Sequence, residues 1–259
     1  MRKATFILCL FLFFPSPLPS FEGMVQRVVD GDTVVLVGGE VIRYLGVNCP
    51  ERGEPFWREA TELNRRLVAG RKVRLELEEE IRRDRYGRML AYVYCDGLFV
   101  NGELLRRGMA HLFCLQPLKL YQDLFSLQES ARERGIGIWG RGGFRGPLKI
   151  TSLLANAPGD DRLNLNGEYL RVCNISSRPV KLKGFSIEDR QGHHYTFPGG
   201  VLKPGFTAVL HSGQGRDVME GFQLVFYWRS PHPIWNNKGD TAYLFDPQGR
   251  LIHRFEYRR

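Results

Sequence analysis

At 259 residues the chain exceeds one domain of usual size and accommodates two, each long enough to bury a core. Its 37 Lys and Arg against 28 Asp and Glu give a formal charge of +9, which favours polyanionic partners. The first apolar stretch, residues 4–14, is too short to cross a bilayer, and no internal repeat or low-complexity segment is present.

Residues 1–20 read as a secretory signal: Arg2 and Lys3 open it, the apolar stretch follows, and Pro15, Pro17, Pro19 and Ser20 break it. Cleavage is expected near Ser20 and Phe21, which places the mature protein in the medium, the periplasm or the cell envelope. That mature chain carries +7. Residues 21–146 hold 20 basic and 18 acidic side chains, and residues 147–259 hold 15 and 10. The surplus in the second half fits ordinary solubility charge or a phosphate-facing surface.

From residue 25 to 47 apolar runs alternate with turns at 30–32 and at Gly38 and Gly39, and strand-like runs follow at 72–79 and 89–95. That makes five strands. Between them residues 55–69 place Phe56, Ala60, Leu63 and Leu67 on one helical face stopped by Gly70. Further helices are predicted at 101–107, closed by Gly108, and at 121–134, closed by Gly135. Five strands in a barrel with three helices is the oligonucleotide-binding (OB) architecture. The glycine-rich residues 141–147 read as a linker between domains at 21–140 and 148–259. Behind it short strands near 149–153, 168–174, 180–187, 193–198, 206–211, 223–227, 241–245 and 250–256 recur regularly, the pattern of a β-sandwich.

Four cysteines, Cys49, Cys95, Cys114 and Cys173, follow the signal, without the Cys-x-x-Cys spacing of a metal site. Cys95 and Cys114 can pair in an oxidising compartment, or each can serve as a small buried hydrophobe. The histidines show no convincing zinc-ligand spacing. Trp228, Trp235, Asn236 and Asn237 suit the core and turns of the sandwich better than a recognition patch.

The chemistry gathers in three motifs. VVDGDTVVL at 28–36 sets Asp30 and Asp32 in a turn between valine runs, where carboxylates can hold a hard cation. VIRYLGVNCPE at 41–51 carries Arg43 and ends on Asn48, Cys49, Pro50 and Glu51, and RRDRYGRMLAYVY at 82–94 brings Asp84, Arg85, Tyr86 and Arg88. This ordered set, continued by VNGELLRRGMAHL and GIGIW, resembles the staphylococcal nuclease (thermonuclease) family over about residues 24–140. Spread features of the second half, among them GEYLRVCN and IWNNKGDTAYLFDPQGRLI, resemble the lamin-tail domain, an immunoglobulin-like module.

The first resemblance implies a calcium ion on Asp32, the Asn48 side-chain oxygen and the Cys49 carbonyl, with Asp30 and Glu51 acting through water. It also implies Arg43 and Arg88 as forks on the phosphate, Glu51 as general base, and Arg85 and Tyr86 as substrate contacts. The implied reaction is hydrolysis of DNA and RNA with little sequence preference, leaving 3′-phosphates. Two departures stand out: Asn48 replaces the usual aspartate, and Cys114 replaces a common substrate-contacting aromatic. A nucleic-acid-binding protein with weak or lost hydrolysis is therefore one alternative. An envelope adaptor, using the lamin-tail-like half to contact a partner or nucleic acid, is another. Because all the implied chemistry precedes the linker, residues 21–146 are expected to fold and cleave alone.

Overall fold

Valine-rich runs separated by tight turns build the first layer. The computed structural model describes residues 20–78, 83–157 and 163–258; the expected signal segment lies, apart from Ser20, outside them. Strands β1 (Ser20–Val28), β2 (Thr33–Leu36) and β3 (Val41–Tyr44) form a meander. Gly38 and Gly39, at φ 101° and 88°, make the second turn, which a side chain would strain. A short β4 (Val47–Asn48) leads to helix α1 (Trp57–Val68), strands β5 (Lys72–Glu76), β6 (Met89–Cys95) and β7 (Leu98–Phe99), helix α2 (Val100–Arg106), strand β8 (His111–Leu112) and helix α3 (Tyr121–Glu133).

The hydrogen-bonded order is β3-β2-β1-β5-β6-β7, and a parallel pairing of β3 with β6 closes the first five strands into a barrel. The expected five-stranded barrel with three helices is thus present. Val25, Val34, Ile42, Val73, Leu75, Ala91 and Val93 fill it, none more than 1% exposed. Apolar residues at alternate strand positions leave water together, which stabilises each strand's inward face.

The second half contains β9 (Leu148–Leu154), β10 (Tyr169–Asn174), β11 (Val180–Lys181), β12 (Ser186–Glu188), β13 (His194–Thr196), β14 (Val201–Leu202), β15 (Thr207–His211), β16 (Gln223–Tyr227), β17 (Gly239–Phe245) and β18 (Leu251–Arg258). Its two four-stranded sheets run β16-β15-β10-β9 and β13-β12-β17-β18, an immunoglobulin-like sandwich in which β15 and β16 are parallel. Leu170, Val172, Ile187, Phe197, Phe226 and Leu244 are buried in it, and Trp235 packs edge-on against Trp228.

The two halves meet in one continuous apolar core. Cys114 pairs with Phe206 across the boundary, its N–H donating to the Gly205 carbonyl at 2.8 Å. Gly205 itself stands against Leu112, where a Cβ would lie 2.6 Å from that side chain. All four cysteines are buried with free thiols, so Cys95 and Cys114 act as small hydrophobes. Among the described residues no helix is long and apolar enough to cross a membrane.

Candidate active site

The turn after β1 and the chain leaving β4 face each other at one end of the barrel. Gly31 makes that approach possible, since a Cβ there would sit 2.7 Å from the Cys49 Cβ and Sγ atoms. Asn64 of α1 anchors the turn, donating to the Asp30 carbonyl at 2.8 Å while accepting the Tyr44 hydroxyl at 2.8 Å. Asp30 Oδ1 takes the Asp32 N–H at 3.0 Å, which curls the turn inward. Asp32, 5% exposed, accepts the Cys49 N–H on Oδ2 at 2.6 Å, and its Oδ1 lies 3.1 Å from Arg43 Nε.

Arg43 is fixed on every side. Its Nη1 donates to the Tyr44 and Val47 carbonyls at 2.7 and 2.8 Å, and Nη2 to Asn48 Oδ1 at 2.8 Å. With the Asp32 contact these engage four of its five N–H donors. Burial opposes its charge, but Asp32 and Asp30 outweigh burial and raise its pKa. The Asn48 oxygen is therefore turned onto Arg43, while its amide nitrogen reaches the Cys49 carbonyl at 3.2 Å and His111 Nε2 at 3.4 Å. His111 lies opposite Asn48 in the β4–β8 pair, with Nδ1 2.9 Å from the Leu112 carbonyl. Burial, aided by Lys149, pushes its pKa down to about 3, so the ring is neutral and Nε2 accepts.

Glu51 sits at the exposed rim, yet enough protein flanks its carboxyl to desolvate it. That desolvation, then the charge of Asp32, pushes its pKa up to about 7 against the opposing pull of Lys149 and Arg43. Asp30 is pushed up to about 6 by burial and by Asp32. Three carboxylates thus crowd a single arginine, and the surplus negative charge is what a divalent cation neutralises. Among the described residues no three His, Cys, Asp or Glu side chains converge tightly enough to hold a metal by themselves. A cation here needs main-chain oxygen too; the nearby Cys49 carbonyl, which accepts the Asn48 amide at 3.2 Å, is the candidate the sequence offers.

Behind Glu51 stands a group that sequence reasoning missed. The Glu51 N–H donates to Glu54 Oε2 at 2.7 Å, and the same oxygen lies 2.8 Å from Lys149 Nζ on β9 of the second domain. Lys149 is fully buried. His253 of β18 places Nε2 3.3 Å from the other Glu54 oxygen. Burial alone would raise the Glu54 pKa, but Lys149 and His253 hold it at about 2. No local pattern marks Lys149 or His253, because each acquires its role only when the sandwich docks. His111 and Asn64 were missed because their contacts with Asn48, and with Asp30 and Tyr44, join positions of the barrel domain that lie far apart along the chain.

The segment before β6 forms a separate shoulder. Asp84 accepts the Tyr86 and Arg88 N–H groups on Oδ1 at 2.9 and 3.0 Å, and Arg88 Nε on Oδ2 at 2.7 Å. Among the described residues no hydrogen bond takes the terminal nitrogens of Arg88, and its guanidinium lies 5.4 Å from the Tyr86 ring. Tyr86 is 60% exposed, and Arg85 bridges it to the second domain by lying over both Tyr86 and Tyr169. The structure therefore gathers Asp30, Asp32, Arg43, Asn48, Cys49 and Glu51 in one place and sets Arg85, Tyr86 and Arg88 on this shoulder. A cleft of about 820 Å³ between the helices, lined by Arg58, Arg66, Arg106, Arg107 and Arg134, holds none of these residues.

Comparisons with known proteins find two families along the chain. A family profile described as staphylococcal nuclease homologue matches residues 41–141, and one described as Lamin Tail Domain matches residues 145–259. The chain is 38% identical over 130 residues to the endonuclease YncB of Bacillus subtilis, a match covering 46% of this chain and 62% of that one. It is 35% identical over 137 residues to an uncharacterized endonuclease of Escherichia coli O157:H7, covering 51% and 86%. It is 31% identical over 128 residues to the thermonuclease of Staphylococcus intermedius, covering 46% and 76%. The matched region spans less than two thirds of the Bacillus subtilis relatives.

Proposed function

Because the chain belongs to the staphylococcal nuclease family, with a lamin tail domain after the barrel, we propose that it is an exported, calcium-dependent nuclease of low sequence preference. It would hydrolyse phosphodiester bonds in DNA and RNA and leave 3′-phosphate ends. The observation that carries this reading is the crowding of Asp30, Asp32 and Glu51 around Arg43, with Arg88 just before the strand that pairs with the Arg43 strand and, among the described residues, with no hydrogen bond on its terminal nitrogens.

Each residue then has a physical task. Asp32, Asp30 and the Cys49 carbonyl would hold calcium, with Glu51 acting through water. Bound there, calcium supplies positive charge against the phosphate oxygens and eases ionisation of water. Glu51, with a pKa near neutrality, orients the attacking water and accepts its proton. Arg88 presents a planar fork to the phosphate, and Arg43 contributes fixed positive charge and one remaining N–H. Glu54 holds the Glu51 main chain still, because a carboxylate accepting an N–H makes a strong bond.

Release of acid-soluble nucleotides from single-stranded DNA, with calcium and with chelator, tests the reading. Calcium-dependent release is expected; release unaffected by chelator removes calcium from it. A second reading, a nucleic-acid-binding protein with little hydrolysis, is favoured by Asn48, whose oxygen is already taken by Arg43. Oligonucleotide binding without release in calcium would support that reading instead.

A further inference from the structure

A row of rings crosses from the barrel onto the second domain. Register sets Tyr169 of β10 opposite His211 of β15, and His211 opposite Tyr227 of β16. Their ring centroids lie 6.0 and 5.4 Å apart on one face of the sheet. The barrel continues the row with Tyr86, whose hydroxyl is 3.4 Å from that of Tyr169. The Arg85 guanidinium lies 4.2 Å over the Tyr169 ring and 4.7 Å over the Tyr86 ring. Tyr169 is thereby covered, and the Gly215 loop closes over Tyr227, so Tyr86, Arg85 and the half-buried His211 face solvent.

Arg171 shares that face, two residues along β10 from Tyr169. Its Nη1 donates to Thr207 Oγ1 at 3.0 Å and Gln223 Oε1 at 2.6 Å, and among the described residues no hydrogen bond takes Nε or Nη2. Both partners are neutral, and among the described residues neither Arg171 nor Arg85 forms an ion pair with a carboxylate. Burial depresses the Arg171 pKa, and Arg85 depresses it further. Two like charges are thus held near one another without a counter-ion, beside stackable rings. A phosphate backbone with unpaired bases meets both needs, whereas a duplex hides its base faces.

We propose that Arg85, Tyr86, Arg171 and His211 form a subsite for single-stranded nucleic acid, through which the second domain holds the substrate strand beyond the cleaved phosphate. Arg171 and Arg85 take backbone phosphates; Tyr86 and His211 stack on bases. The subsite rests on the nuclease reading for its substrate, but its test does not need turnover.

Binding of the full chain to a labelled oligo(dT) of about twelve nucleotides, and to a duplex of that length, is measured by fluorescence anisotropy in chelator across a salt series. Arg171→Gln should weaken single-strand binding about tenfold and lower the salt slope by about one. His211→Ala should also weaken it, with a smaller change of slope. Arg178→Gln removes the same charge from an exposed loop and should change binding by less than about twofold. Equal losses in Arg171→Gln and Arg178→Gln would reduce the effect to net charge and overturn the subsite, as would tighter binding of the duplex. Thermal unfolding identifies an Arg171→Gln chain that has not folded, and the His211→Ala result then decides. A chain that binds in this pattern yet releases no nucleotides keeps the subsite and loses the nuclease reading; one that cleaves while Arg171→Gln and His211→Ala bind normally does the reverse.

Discussion

Two arginines of one site do different physical work. Arg43 is buried with four donors engaged, whereas Arg88 keeps its terminal nitrogens for an incoming group. Arg43→Lys should therefore cost about 3 kcal/mol or more of stability as well as activity, because lysine leaves the Tyr44 and Val47 carbonyls and Asn48 without their donor. Arg88→Lys should lower turnover about a hundredfold with little change in melting temperature. Melting curves and turnover on both variants check the contrast. Glu51 offers a pH test. Its folded pKa of about 7 lies above the ordinary 4.5, so the folded state binds its proton more tightly, and stability falls as pH rises through that window. Glu51→Gln should then melt higher than wild type at pH 8 in chelator, and the gap should close towards pH 4.5. Glu54 and His111 run the other way: their lowered values, about 2 and about 3, mean stability lost as pH falls below their unfolded values of 4.5 and 6.5.

At the scale of elements, the turn from Glu51 to Glu54 is held from outside its own domain. Strand β9 inserts Lys149 beside Glu54, and the charge it stabilises accepts the Glu51 N–H. Removing one member of a buried pair leaves the other uncompensated, so Lys149→Met should destabilise by about 3–5 kcal/mol. Its sharper consequence is kinetic. If the pair fixes Glu51, turnover should fall up to about a hundredfold in Lys149→Met, while KM moves little. Replacing Glu54 and Lys149 together by Leu and Met should restore stability without restoring turnover. Restored turnover in that double variant would confine the pair to a structural role.

At the scale of the whole molecule the two domains act as one body around the site. Cys114, where the nuclease family commonly has an aromatic, pairs with Phe206 of the sandwich, and Tyr121 and Arg132 donate to carbonyls at Pro204 and Ile175. The expectation that residues 21–146 suffice did not include these contacts. A fragment ending at residue 146 should melt below the full chain and turn over more slowly, since it exposes Leu112 and Cys114 and loses Lys149. Full-length protein should unfold in one transition because its core is continuous. Calorimetry on both chains, with turnover at a temperature where the fragment is folded, measures the difference.

The sequence by itself determined the barrel, the sandwich and the local motifs whose residues gather at the candidate site. Alternating valines, glycine stops and the Asp30, Gly31, Asp32 turn act through near neighbours, so their pattern is written in the chain. Departures such as Asn48 and Cys114 were also legible there. Tertiary structure alone decided what those residues touch. Arg43 is engaged because four partners converge on it, Asn48 is oriented by His111 from another strand, and Glu51 is held through Glu54 by a lysine far along the chain. Electrostatic and hydrogen-bond roles depend on distance in space, and sequence spacing carries no information about a contact made by docking one domain on another.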